Sequence, residues 1–360
     1  MQDQNHDEET ANTSRRIVTF EQFIVDTFTR IGEDGVERAV DQPDQIGGGG
    51  TYAIIGSRMF VPPSRLGMII DYTPSTLPQK MRDTLNEYGQ EMWVFRERGD
   101  GHPTARAVNR YNGQTRGFEY LTKPLLLTPH SLLSTRLANP LPSTLHIISY
   151  PAPRSEGILS EVQQLKRERG WDPMIVWEPE EESLEVLERV ARDIDLIGPN
   201  HHEVLRLFSP AISPSPTEEE LKEVYINACK RLVSVNPKIG VVIRCGHLGC
   251  CYASTPPSRS EVMVKWVQAY WNPQRRGWTE GVVKDPTGAG NAFMGGLAAA
   301  LDSGKSLDEG VIWGSVAASF TIEQDGLPMI TNIDGDGDEL WNGEDPWERV
   351  REMKRDMGMI

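Results

Sequence analysis

The chain has 360 residues, 38% hydrophobic and 25% charged, with a formal net charge of −15. That length buries a sizeable core, as one large α/β domain or one domain plus a small lid, and the acidic balance with no long basic patch argues against a nucleic-acid partner. No apolar run approaches the ~20 residues of a membrane span, and the four cysteines Cys229, Cys245, Cys250 and Cys251 are too few for a disulfide framework. No membrane partner is expected. With no apolar N-terminal leader, a reducing, cytoplasmic setting is expected, with the cysteines as small buried residues.

Taken in chain order, residues 1–15 are polar and acidic and predict a disordered tail. Residues 17–20 and 23–25 are short apolar stretches that predict a first buried strand. Asp26 follows Val25 directly, where a strand end faces a cleft. Gly47-Gly48-Gly49-Gly50 predicts a flexible turn that opens a small-residue helix over 51–59. A strand over 66–70, a helix over 77–88 and a strand over 92–95 follow. Residues 96–123 are rich in Arg, Gly, Asn and Thr around Tyr111, Phe118 and Tyr120, and predict an exposed ribbon within a lid.

Strands over 145–149 and 174–177 flank a helix over 155–169. An amphipathic helix over 180–192 leads to a strand over 194–197. Residues 209–216 form a Pro/Ser loop, followed by a helix over 218–232, a strand over 240–243 and a strand candidate over 262–267. Val282-Val283 reads as a strand before a Gly-rich turn and a helix start, and a further helix is expected over 310–320. Residues 331–360 read as an acidic segment and a terminal helix over 345–357. Residues 334–338 (Asp-Gly-Asp-Gly-Asp) imitate the start of a calcium loop but lack its glycine and flanking helices, so an acidic surface segment is expected. From residue 145 onward strands alternate with helices. That pattern predicts a largely parallel sheet covered on both faces, with the ligand site beyond the carboxyl ends of the strands.

Three constellations bear on chemistry. Asp285-Pro286-Thr287-Gly288-Ala289-Gly290-Asn291 runs from a tight turn into a helix start, with an apolar helix-like run over Ala298 to Leu301. A helix start offers unpaired N–H groups and the positive end of the helix dipole, and glycines let an anion approach. Asn200 and Glu203, three apart after the strand over 194–197, suit a hydrated hard cation, and equally a helix-capping box. His201 and His202 lack the spacing of a zinc site and are expected to face solvent. Gly246 and Gly249 follow the strand over 240–243 in a Gly-x-x-Gly turn.

Asp285 to Gly296, with a dozen positions in order, resembles the C-terminal signature of the PfkB/ribokinase family of small-molecule kinases. Asn200/Glu203, Gly246/Gly249 and the Gly47 to Gly50 run after Asp26 fall in the same order as that family's other motifs. Within the family the chain looks most like a fungal branch that includes a killer-virus maintenance protein. The resemblance implies a ribokinase-like three-layer α/β/α sandwich over 16–330 with a small β lid, its elements within 26–50 and 96–123. It implies ATP and Mg2+ and phosphoryl transfer to a hydroxyl of a sugar, nucleoside or related metabolite. A homodimer through the lid is a further expectation. Gly288, Ala289 and Gly290 would stabilise the transferring group. Asn200, Glu203, Gly246, Gly249 and Thr287 would serve ATP, with Glu203 reaching magnesium through water. Asp26, Gly48, Gly49 and Thr51 would hold the acceptor.

Two positions depart from the pattern. Thr51 or Tyr52 stands where the family has an Asn, which suggests a bulkier or less polar acceptor pocket. Asn291 stands where the family has its general-base aspartate. An amide cannot take up a proton near neutral pH. Asp285 or Asp26 could substitute, since phosphoryl transfer is mostly positioning and charge stabilisation. The alternatives are a catalytically silent ATP or metabolite binder with a regulatory or assembly role, and a fold recruited for non-phosphoryl chemistry.

Overall fold

The computed structural model describes residues 15–360 except 33, 113–114, 123–124, 151, 258–260, 276 and 334–338. The expected tail over 1–14 and the acidic segment 334–338 lie outside the described residues.

The chain enters through β1 (Ile17–Thr19), then leaves the main body for β2 (Ile24–Ile31), β3 (Glu37–Ala39) and β4 (Gln45–Gly47). It returns through α1 (Gly49–Arg58), β5 (Leu66–Tyr72), α2 (Gln79–Glu87) and β6 (Trp93–Glu97), and makes a second excursion through β7 (Arg106–Asn112) and β8 (Thr115–Tyr120). After the short α3 (Pro129–Leu132) come β9 (Thr144–Ile148), α4 (Ser155–Arg169), β10 (Met174–Glu178), α5 (Leu184–Val190), β11 (Leu196–Ile197), α6 (His201–Phe208), α7 (Glu218–Ser234), β12 (Gly240–Arg244), β13 (Cys250–Ser254) and β14 (Lys265–Val267). The chain closes with α8 (Ala289–Asp302), α9 (Leu307–Thr321), the hairpin β15 (Ile330–Ile333) and β16 (Glu339–Trp341), and α10 (Pro346–Asp356).

The central sheet has nine strands in the order β14-β13-β12-β11-β10-β9-β1-β5-β6. All pairs from β12 to β6 are parallel, and β13 and β14 are antiparallel at one edge. Alternation along each strand divides the core in two. Met68, Ile70 and Val242 pack against α1, α2, α8 and α9 on one face. Ile69, Val241 and Ile243 pack against α4, α5, α6 and α7 on the other. This is the three-layer α/β/α sandwich. The second sheet, β3-β2-β7-β8 with β4 beside β2, lies off the main body and is antiparallel except for β2 against β7.

Local chemistry explains where the helices begin. α4 carries Ile158, Leu159, Val162 and Leu165 on one buried stripe and stops at Gly170, left-handed at φ 69°. α7 opens on a capping box in which Thr217 and Glu220 satisfy each other's N–H groups. α1 has no side-chain cap; Gly48 precedes it at φ 95°, and a Cβ there would fall 2.1 Å from the Gln22 carbonyl. α1 and α8 cross backbone to backbone, and a Cβ on Gly295 would lie 1.8 Å from the Ala53 carbonyl oxygen. That contact ties together, at their middles, the two helices whose starts frame the cleft.

Several expectations need correction. Residues 23–25 do not extend the first central strand; the chain turns out after β1 and Ile24 begins lid strand β2. Asp26 is therefore the third residue of a lid strand rather than the end of a central one. Val282 and Val283 form no strand: Val282 N–H bonds Thr279 in a turn, and Val283 is 44% exposed. Two valines without a neighbouring strand edge have nothing to pair with. The strand candidate over 262–267 shrinks to Lys265–Val267, and α5 covers less than the expected 180–192 because Ser183 caps it.

Candidate functional site

The carboxyl ends of the parallel strands and the lid enclose a cleft of about 730 Å³. The start of α8 forms one wall. Gly288 is left-handed at φ 75°, and a Cβ there would lie 2.2 Å from the Tyr52 ring, so only glycine fits. Ala289 N–H turns back to the Pro286 carbonyl at 3.2 Å. The N–H groups of Gly290 and Asn291 find no acceptor among the described residues. They open the helix at the positive end of its dipole.

Arg244, the last residue of β12, lies against this turn: a Cβ on Gly290 would stand 2.6 Å from its Nη1. The residue is 7% exposed. Its Nη2 donates to the Gly198 carbonyl at 2.8 Å and its Nη1 pairs with Glu178 Oε2 at 2.7 Å. Its Nε is buried without a partner among the described residues. A buried donor left open beside a helix N-terminus suits one oxygen of an anion.

Glu178, the last residue of β10, is the buried hub. Asn291 Nδ2 donates to both of its carboxylate oxygens, at 3.0 and 3.1 Å. His146 Nε2 lies 2.8 Å from Oε1, and the other ring nitrogen is 3.1 Å from the Thr19 hydroxyl. Burial pushes the Glu178 carboxyl up, but Arg244, His146 and Asn291 outweigh it and hold the group below its ordinary value. An ionised carboxylate thus stands directly beside residue 291.

Asn200 and Glu203 open α6 as a full capping box: Asn200 Oδ1 accepts from Glu203 N–H, and Glu203 Oε2 accepts from Asn200 N–H, each at 3.0 Å. Burial raises the Glu203 carboxyl despite Arg244, whose Nη2 is 3.9 Å away. The capping and cleft-lining roles coexist, because the box sits at the cleft edge. His202 borders the cleft and is exposed, as expected, whereas His201 is half-buried in the lining. Burial, then His202, drives His201 down to about 4. Among the described residues no three His, Cys, Asp or Glu side chains converge to hold a metal ion.

The cleft brings together Asp26, Gly48, Gly49, Asn200, Glu203, Gly246, Thr287, Gly288, Ala289, Gly290 and Asn291 from across the chain. Three expected residues stay outside its lining. The Thr51 hydroxyl donates to the Gly47 carbonyl at 2.9 Å within the turn of α1, and Tyr52 faces the cleft instead. Asp285 accepts Thr287 N–H at 2.9 Å, which leaves its carboxylate fastening its own loop. Gly249 is packed under β14, where a Cβ would meet the Val267 carbonyl at 2.0 Å.

The lining is also acidic rather than less polar: Glu21, Asp26, Glu178, Glu180, Glu181 and Glu203 all contribute. Glu178, Glu180 and Arg244 escaped the sequence reading. A signal was present, since the apolar runs of β10 and β12 each end on one charged residue at the carboxyl edge of the sheet.

Residues 104–329 match the family described as pfkB family carbohydrate kinase. The chain is 33% identical to an uncharacterized protein of Schizosaccharomyces pombe over 93% of this chain and 91% of that one. It is 27% identical to the protein MAK32 of Saccharomyces cerevisiae over 94% and 92%. Its fold is similar to that of a Cryptococcus neoformans ribokinase in complex with ADP, with TM-score 0.64 and 17% identity over 87% of this chain and 96% of that one. It is also similar to an Arabidopsis thaliana ribokinase complexed with ribose and ATP, with TM-score 0.64 and 16% identity over 95% and 99%. The chain belongs to the pfkB family of carbohydrate kinases and has a ribokinase-like fold.

Proposed function

We propose that this member of the pfkB carbohydrate kinase family transfers a phosphoryl group from ATP to a hydroxyl of a small molecule, with the hydroxyl proton passing to Glu178 rather than to residue 291. The observation that carries the reading is the meeting of the open α8 N-terminus, the Arg244 guanidinium and the Asn200/Glu203 pair in one cleft. The polyphosphate fits there on two counts, the unpaired N–H groups of Gly290 and Asn291 and the open Nε of Arg244. Mg-ATP, when bound, supplies the phosphoryl group and a metal charge that helps disperse its negative oxygens. Asn200 and Glu203 would hold the hydrated magnesium ion, since they offer oxygens here and the described residues form no closed metal cage. The α8 N–H groups and Arg244 would stabilise charge that grows on the transferring oxygens. Asp26, Gly48 and Gly49 would position the acceptor under the lid.

Asn291 cannot take the proton, but its amide is fastened on the Glu178 carboxylate. The carboxylate is moved from the helix to the adjacent strand end, and the amide orients it. A second reading, nucleotide binding without transfer, is favoured by one fact: Glu178 is already engaged by Arg244, His146 and Asn291. The deciding experiment is transfer from Mg-ATP into a fungal metabolite extract, read by mass spectrometry, for wild type and Glu178→Gln. The expected outcome is a phosphorylated product from wild type and a rate lower by about 10²–10⁴-fold in the variant. ADP binding with no product from wild type would support the silent binder, and loss of ADP binding as well would remove both readings.

A further inference from the structure

The lid side of the cleft holds chemistry that a neutral sugar does not use. Glu180 lines it just beyond β10, and its backbone sits at φ 31°, a left-handed conformation that L side chains rarely adopt. Strain of that kind persists where the surroundings hold a residue in place. Its side chain makes no hydrogen bond or ion pair among the described residues, and neither does that of neighbouring Glu181. The other cleft acids are engaged: Glu21 with Arg154, Glu178 with Arg244, Glu203 with the Asn200 box, and Asp26 in an interaction of its own. The cleft therefore holds, at one place, two carboxyl groups with no counter-charge among the described residues.

That place faces aromatic rings. Tyr120 from lid strand β8 stacks on Tyr150 with ring centroids 5.7 Å apart, and Phe118 meets Tyr120 edge-on at 5.2 Å. All three rings line the same cleft as Glu180 and Glu181. Ring faces and carboxylates together are the standard surroundings of an alkylammonium group. A metal ion is the poorer match, because no three acidic or imidazole side chains converge on a point among the described residues.

We infer that the acceptor end of this cleft takes an organic cation: a hydroxyl compound bearing an ammonium group, whose charge lies between Glu180, Glu181 and the rings of Tyr120 and Tyr150. The inference rests on the phosphoryl-transfer reading only for calling this ligand the acceptor. Burial raises the Glu180 carboxyl to about 8, with Glu203, Glu178, Glu21 and Glu181 adding to the effect, and the Tyr120 and Tyr150 hydroxyls also face it. An arriving ammonium favours the ionised form, so binding at neutral pH releases a proton and tightens as pH rises toward 8.

The test is calorimetric titration of the full-length protein without nucleotide, using glucosamine against glucose and choline against its neutral carbon isostere. In at least one pair the charged member should bind about tenfold tighter or more. Glu180→Gln should erase the preference, Tyr150→Leu should reduce it, and it should shrink below about pH 6 as Glu180 stays protonated. Equal binding within both pairs, no binding by either cation, or a preference that survives Glu180→Gln would overturn the inference. So would magnesium chloride binding that depends on Glu180 where no amine binds. ADP is titrated separately. Cation preference without ADP binding would remove the kinase reading and leave this one, and ADP binding without cation preference would do the reverse.

Discussion

Asn291→Asp puts the family's aspartate back in place, but here it should disrupt the site. The amide Nδ2 now donates to both Glu178 oxygens, at 3.0 and 3.1 Å. Removing a donor from an ionised acceptor loses roughly 1.5–3 kcal/mol. Two full charges about 3 Å apart would repel by roughly 5 kcal/mol at an effective dielectric of about 20. The pair escapes by sharing one proton, as neighbouring carboxylates do. That proton is bound more tightly in the folded protein than in the unfolded chain, so the folded-state value is raised. Stability is then least affected below about pH 4 and falls as pH rises through the raised value. We expect a loss of about 1 kcal/mol at pH 5 and about 3 kcal/mol at pH 8. For 360 residues the larger figure is roughly a 4 °C drop in Tm. The double variant Glu178→Gln/Asn291→Asp swaps amide and carboxylate, keeps a negative charge near Arg244, and should recover about 2 kcal/mol. Scanning calorimetry of the four proteins at pH 5 and pH 8 measures the cycle. A single variant as stable as wild type at pH 8, or a double variant whose losses simply add, would refute the coupling of residues 178 and 291.

Gly295→Ala should lose about 3 kcal/mol or more, because the new methyl meets the Ala53 carbonyl and must push α1 from α8; an unchanged denaturation midpoint would contradict that crossing. Arg244→Met strands Glu178 and Glu203 without their counter-charge, so a loss of about 3–5 kcal/mol is expected, together with ADP affinity reduced more than tenfold in calorimetry. Glu180 holds its proton to about 8 in the folded protein against 4.5 as an ordinary glutamate, so this group lowers stability as pH rises between those values. Glu180→Gln should remove that decline and be about 4 kcal/mol more stable than wild type at pH 8 in urea titrations, with no difference at pH 4. Parallel curves for the two proteins across that range would show the carboxyl to be solvated.

Much of the architecture was legible because it is written in local chemistry. Alternating apolar strands and amphipathic helices from residue 145 onward prescribe a covered parallel sheet, and β9 to β12 form where apolar runs stand between polar turns. The Gly288 turn and the Asn200/Glu203 box are short-range devices. A left-handed glycine and a reciprocal cap need only neighbours in sequence, so their residues identify them. The same holds for Gly48 before α1. Strand excursions are less legible, because nothing in residues 17–31 marks where the chain leaves the central sheet, so Asp26 reads as the end of a central strand.

The partner of Asn291 could be decided only in three dimensions. Glu178, Arg244 and His146 each end or interrupt an apolar strand, and a single charged residue has no period to betray its role. They meet because β9, β10 and β12 lie within the same sheet and bring their carboxyl ends to one edge. From its own sequence the chain determined a ribokinase-like sheet and a glycine-framed helix start, since both follow from backbone preferences. Tertiary structure decided which carboxylate stands beside residue 291, that Thr51 and Asp285 turn away, and that Glu180 is left unpaired, because buried charge is balanced by neighbours in space and not by neighbours in sequence.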